Sequence, residues 1–175
     1  MRAGSPPAGN GGGMAKSAVS SIIDKYNGIT ASLFGATDRP PIFLGKVAQT
    51  TGAGAAQRVP YVCLMDDGFN PTLDSSYGGI EAGEIKLEVY ALKVDDATGV
   101  TVDSICRAIK FAGGTPAQHQ GFDGGSLSFA SGSFLYSISL LRTRERRDYA
   151  GFDYQGARVH LAELTYAVTV GLSSS

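Results

Sequence analysis

Glu84-Ile85-Lys86-Leu87-Glu88-Val89-Tyr90 alternates apolar and polar residues without a break. Side chains on a strand point to opposite faces in turn, so Ile85, Leu87 and Val89 share one face and Glu84, Lys86, Glu88 and Tyr90 the other. The segment is predicted to be a half-buried strand. Upstream, Val59-Pro60-Tyr61-Val62-Cys63-Leu64-Met65 is a continuous apolar run, the pattern of a strand covered on both faces. Asp66-Asp67-Gly68 and Asn70-Pro71 are turn signals, and residues 74–79 are polar. Downstream, Asp95, Asp96 and Thr98 offer cap-type oxygens before Val102, Ile105, Cys106 and Ile109, which recur at helical spacing until Gly113-Gly114 ends the run.

The flanks extend this pattern. Val19, Ile22, Ile23 and Tyr26 mark one face of an N-terminal helix that Gly28 is expected to interrupt, and Asp38-Arg39-Pro40-Pro41 ends any helix. Ile42-Phe43-Leu44 is a short apolar run, residues 50–56 read as a Gly/Ala-rich loop, and 115–125 as a Gly/Gln loop. Two long strands close the chain. Phe134, Tyr136, Ile138 and Leu140 alternate in the first; Leu164, Tyr166, Val168 and Val170 alternate in the second, with turns expected near Gly151 and Gly156. Val159 and Leu161 have the opposite parity to Leu164 and Tyr166, which predicts either a bulge near Glu163 or a strand beginning there. These elements imply an α+β fold: an antiparallel sheet of about four strands with two main helices packed on one face.

The chain has 175 residues, enough for one domain with a real core. Residues 14–175 are expected to form it, with 1–13 as a disordered arm or a start artefact, because Gly11-Gly12-Gly13 precedes Met14 and no apolar h-region accompanies it. Hydrophobic residues make up 43% and charged residues 18%, which excludes a disordered chain, and no apolar run approaches the ~18 residues of a membrane span. A net charge of −1 argues against a free-standing nucleic-acid binder. Cys63 and Cys106 lack a CxxC or clustered histidines, so they read as buried free thiols.

Catalytic patterns are missing. The P-loop fails because Pro40 stands at its first glycine and Val47 follows Gly45-Lys46, where the hydroxyl that holds magnesium belongs. Gln57 occupies the third glycine position after Gly52-Ala53-Gly54, which breaks a dinucleotide fingerprint. His119 and His160 have no ligand partners at metal-site spacing, no G-x-S-x-G elbow is present, and the pairs Asp66-Asp67 and Asp95-Asp96 suit turns and caps. The reading is of a protein without catalytic, cofactor or metal residues.

The charge anomaly is Arg142-Thr143-Arg144-Glu145-Arg146-Arg147-Asp148, with four arginines in six residues. On an extended segment Arg142, Arg144 and Arg146 would share a face. They are either a solvated hairpin extension or a patch that meets an acidic neighbour or lines a passage for DNA. Arginine forks suit carboxylate and phosphate alike.

The order of these features resembles the tail terminator (tail completion) proteins of long-tailed bacteriophages. An N-terminal helix leads to Val59-Pro60-Tyr61-Val62, a polar excursion, the strand 84–90 and the helix 102–112. Two late strands with arginines between them follow, ending in Leu164-Thr165-Tyr166-Ala167-Val168-Thr169-Val170. The resemblance spans about 16–172 and rests on element order and hydrophobic pattern. It implies a structural virion protein, assembled in the host cytoplasm, that forms a six-fold ring with itself, caps the tail tube protein and meets the head-side connector or stopper protein. It implies no catalytic residue and no cofactor. Arg142, Arg144, Arg146 and Arg147 are then expected at an intersubunit or lumen surface, with passive DNA contact in the lumen and no membrane partner. The alternatives are a head-completion or stopper protein of the neck, and a small α+β module that binds a ligand or peptide.

Overall fold

A computed structural model describes residues 11–46, 58–71, 80–93, 99–113, 121–131 and 134–172. The loop expected over 50–56, the polar stretch 74–79, Asp95, Asp96, Thr98, His119 and the chain before Gly11 lie outside these residues. The chain order is α1 (Gly11–Asp38), β1 (Ile42–Leu44), β2 (Tyr61–Pro71), β3 (Glu81–Leu92), α2 (Val102–Phe111), β4 (Ser126–Ser131), β5 (Phe134–Tyr154) and β6 (Ala157–Leu172). The strands form one sheet in the order β1-β2-β3-β6-β5-β4, antiparallel except for the parallel pair β1–β2.

This corrects the expected four-stranded antiparallel sheet with two helices on one face. The sheet is mixed, has six strands and curls. α2 lies against the central strands β3 and β6, whereas α1 touches β1 and β2 at one end and β4 at the other. The curl has a physical source in three irregularities, between Asp66 and Phe69 in β2 and between Arg142 and Arg144 and Tyr149 and Asp153 in β5. Each puts extra residues into one strand and bends it.

Ile85, Leu87 and Val89 are fully buried on the concave face, opposite Tyr166, Leu164 and Ala162 of β6. Each such side chain contributes roughly 1.5–3 kcal/mol of hydrophobic stabilisation. Ile22, Tyr26, Ile105 and Ile109 of the helices complete that core. α1 runs through Gly28 and breaks its helical dihedrals at Gly35 instead (φ 81°, ψ 162°). A helix-interior glycine costs only ~1 kcal/mol, and the packing of Tyr26 and Ile29 on either side outweighs it. The Tyr26 hydroxyl donates to the Pro40 carbonyl at 2.8 Å, which fixes the exit from α1. α2 starts at Thr101, whose hydroxyl accepts from the Ser104 amide while the Ser104 hydroxyl accepts from the Thr101 amide.

The outer face of the sheet is also partly dry. Tyr61, Cys63 and Val159 are buried there, and Tyr61 stacks on Tyr90 at 4.7 Å between ring centres. Phe43 and Phe152 extend that row to either side. This explains the parity of Val159 and Leu161. β6 has no bulge at Glu163; it runs regularly from Ala157, and these two side chains belong to the outer cluster.

Asp66-Asp67-Gly68 is a bulge within β2 and not a chain reversal. The Asp66 carboxylate accepts from the Gly68 amide at 3.0 Å, and Gly68 takes φ +86°. Gly83 on β3 must be a glycine to admit it, because a Cβ there would stand 2.5 Å from the Gly68 carbonyl oxygen and 2.9 Å from the Phe69 ring. Gly83→Ala is therefore expected to destabilise the fold by about 1–3 kcal/mol. Gly28→Ala, whose Cβ meets nothing within 4 Å, should stabilise it by about 0.5–1 kcal/mol. Thermal melts of the two variants check both signs.

Candidate functional site

The four arginines lie inside a strand and not in a loop between strands, because β5 continues through them and reverses only at Gln155-Gly156. Both of those residues have positive φ, as a two-residue hairpin turn requires. The bulge at Thr143 changes which face each arginine occupies. Arg142 pairs with Tyr166 of β6 and Arg147 with Ala162, on the concave side; Arg144 pairs with Thr165 and Arg146 with Glu163, on the outer side. Arg142 therefore does not share a face with Arg144 and Arg146, as simple alternation predicted.

The concave pair is committed to the fold. Arg147 bonds Asp103 in the first turn of α2 and Glu145 on its own strand, the latter at 2.9 Å. Glu145 also accepts from Lys110 in the last turn of α2 at 2.8 Å. Arg142 lies 3.5 Å from Glu145 and 3.1 Å from Asp123, which in turn accepts from the Tyr166 hydroxyl at 2.8 Å. This chain of charges clamps both ends of α2 to β5. Burial alone would raise the Glu145 carboxyl, but the hydrogen bonds from Lys110 and Arg147 outweigh it and hold it below the usual carboxylate range.

The outer pair is more open. Arg144 is 59% exposed and contacts Glu163 at 3.3 Å and the Thr165 hydroxyl at 3.3 Å; Arg146 is 67% exposed and contacts Asp148 at 3.1 Å. Beside them Lys86 lies 3.5 Å from Glu163, and Lys46 lies 3.8 Å from the buried Glu88, which accepts from the Tyr90 hydroxyl at 2.6 Å. Burial first, and then Glu88, keep that phenol protonated. A crevice of about 170 Å³ opens between Lys46, Glu88, Arg146 and Asp148. The outer face thus carries an ionic band next to its aromatic row.

Among the described residues no three His, Cys, Asp or Glu side chains are grouped to hold a metal, and no helix is long and apolar enough to cross a membrane. Burial pushes the Cys106 thiol up to about 12, so it is no nucleophile at neutral pH. His160 sits in mid-strand opposite Ala91 and Tyr149. A broad groove of about 700 Å³ lies between α1 and the 121–125 turn, lined by Gly28, Gly121, Gly124 and Gly125 among others. It lacks the apolar walls and convergent polar groups of a small-molecule pocket.

Sequence reasoning missed the exposed leucines. Leu141 is 68% exposed on the outer face and Leu44 is 66% exposed at the β1 edge. The doublet Leu140-Leu141 was the available signal for the first, because in a strand one of two adjacent leucines must face away from the core. No protein-family model matches the chain, and no curated protein sequence matches it.

Replacing Glu145 by Gln is expected to cost about 1 kcal/mol at neutral pH, since Lys110 and Arg147 lose their shared anion. A carboxyl with a lowered folded-state pKa stabilises the fold above its unfolded value near 4.3 and loses that contribution as pH falls through the folded value. The difference between wild type and Glu145→Gln should accordingly be full at neutral pH and shrink as pH falls through the lowered folded-state value; urea titrations across the acid range check this. Cys63 and Cys106 are both buried, and neither should react with a bulky thiol reagent until denaturant is added.

Proposed function

We propose that this chain is a structural subunit that closes with copies of itself into a ring, caps the tail tube of a phage virion and meets the head-side connector. The supporting observation is the free edge of β5. β4 pairs only with residues 134–139, so β5 from 140 to 154 has no strand on its outer edge among the described residues. That edge is about 50 Å long at strand rise, and residues 141–149 along it are exposed. Its bulges and charges discourage backbone pairing, so what the long flank offers another chain is its row of exposed side chains. The opposite end of the sheet is the short apolar β1, a surface of quite different character. Two unlike ends favour head-to-tail association, and head-to-tail contacts that close by rotation make rings.

The order of elements carries the tail-terminator part of the reading, together with the lack of any catalytic grouping in the described residues. Arg144 and Arg146 are 59% and 67% exposed beside their own carboxylates, open to an acidic protein neighbour or to the DNA of a lumen.

Light scattering over a range of concentration is expected to give a closed species near six subunits, or a monomer that forms rings only on tail tubes, visible by electron microscopy. Arg144→Gln with Arg146→Gln should weaken that assembly while changing stability by about 1 kcal/mol or less, because both guanidinium groups are exposed and Glu163 keeps Lys86. A monomer at every concentration that also ignores added tubes overturns the proposal.

A further inference from the structure

We infer that neighbouring copies meet in a lapped contact, the concave lip at the β1–β2 end of one sheet receiving the outer flank of β5 from the next. The inference rests on the self-assembly reading and specifies its surfaces. The lip carries a notch of about 240 Å³ lined by Leu44, Gly45, Leu64, Met65 and Asp66. Leu44 and Leu64 are register partners and Asp66 follows two residues on, all on the concave side; Leu64 is buried in the core, so Leu44 supplies the notch's open apolar surface. Its apolar floor is open: Leu44 is 66% exposed.

The flank carries the complement. Leu141 stands 68% exposed on the outer face, uncovered by any element among the described residues. Arg144 is next on that face, because the Thr143 bulge takes up the extra residue; Leu141 pairs with Ala167 and Arg144 with Thr165. Leu141 and Arg144 are therefore two strand residues apart, about 7 Å, close to the ~8 Å from Leu44, one strand across, to Asp66. One leucine can fill the notch while one guanidinium meets the Asp66 carboxylate. Asp66 uses one oxygen on the Gly68 amide, and its carboxylate has no ion pair among the described residues.

Continuation of the sheet from edge to edge is the competing geometry. β5 is guarded against it by bulges at both ends of 144–149 and by charges along that stretch. The lapped contact needs no backbone pairing. Knob and notch lie at opposite ends of one sheet and on opposite faces, so no copy can satisfy its partner's two surfaces by a two-fold axis. The chemistry recognised is a second copy of this chain.

Cysteine pairing tests the geometry. Leu44 and Leu141 are four strand spacings apart in one subunit, about 19 Å and beyond disulfide reach, and the native cysteines are buried. Under mild oxidation, Leu44→Cys mixed with Leu141→Cys should give a covalent dimer, neither variant alone should, and the double variant should give a ladder. Leu141→Asp should weaken self-association at least about tenfold with an unchanged melting temperature. A dimer from Leu141→Cys alone overturns the lapped contact. So does an assembly that persists in Leu141→Asp and yields no mixed disulfide, and in that case the ring reading stands. A chain that is monomeric under all conditions, tail tubes included, overturns both.

Discussion

β3 pairs with β6 along its whole twelve-residue length without a bulge, from Glu81 opposite Val170 to Leu92 opposite Val159. That register is the constraint on which the rest of the structure depends. A slip of one residue would turn Ile85, Leu87 and Val89 outward and bring Glu88 into the concave core. It would also dismantle the outer face, where Lys46 and Lys86 offset the facing Glu88 and Glu163 and Tyr90 stands opposite Leu161. Both faces of these strands are specified by side-chain chemistry, so their pairing is defined twice over. The irregular features lie in the flanking strands, where a bend can be absorbed without disturbing this pair.

The central strands were legible in the sequence because alternation is a property of the strand alone. The apolar faces of Val102–Ile109 and Val19–Tyr26 were legible for the same reason at helical period. What failed depended on partners. Val159 and Leu161 looked out of phase because their parity was judged against one core, whereas the molecule has a second apolar cluster on the outside. β4 was not anticipated: Leu127 and Phe129 alternate with serines over only six residues, and their inward face is plain only beside β5. Asp66-Asp67-Gly68 has turn chemistry, and it does make a tight local bend, but the strand resumes afterwards because Gly83 leaves room for it. Local signals name a bend; only the neighbour decides whether it is a turn or a bulge.

The arginines illustrate the same limit at the candidate site. Their presence was evident, and their distribution was not. One inserted residue, Thr143, separates Arg142 from Arg144 and Arg146, and no rule of sequence spacing predicts an insertion whose partner strand is elsewhere in the chain. The result is a division of labour. Arg142 and Arg147 join Lys110, Asp103, Glu145 and Asp123 in holding α2 against the sheet. Arg144 and Arg146 remain at the surface, attached to carboxylates that constrain them lightly.

A subunit meant to assemble to a limit must offer enough surface to bind its neighbours and too little regularity to grow without end. Long free strand edges are prone to indefinite addition, as in cross-β stacks. Here the free edge of β5 is charged and bulged at both ends of 144–149, so backbone-templated growth is blocked. Recognition is left to side chains at fixed angles on a curved sheet. In the proposed ring each lapped contact would add the same rotation, and the bend at the bulges would contribute to how many copies return to the start. In this view the Thr143 bulge acts twice: it bends β5, and it brings Leu141 and Arg144 to the spacing of the notch they fit.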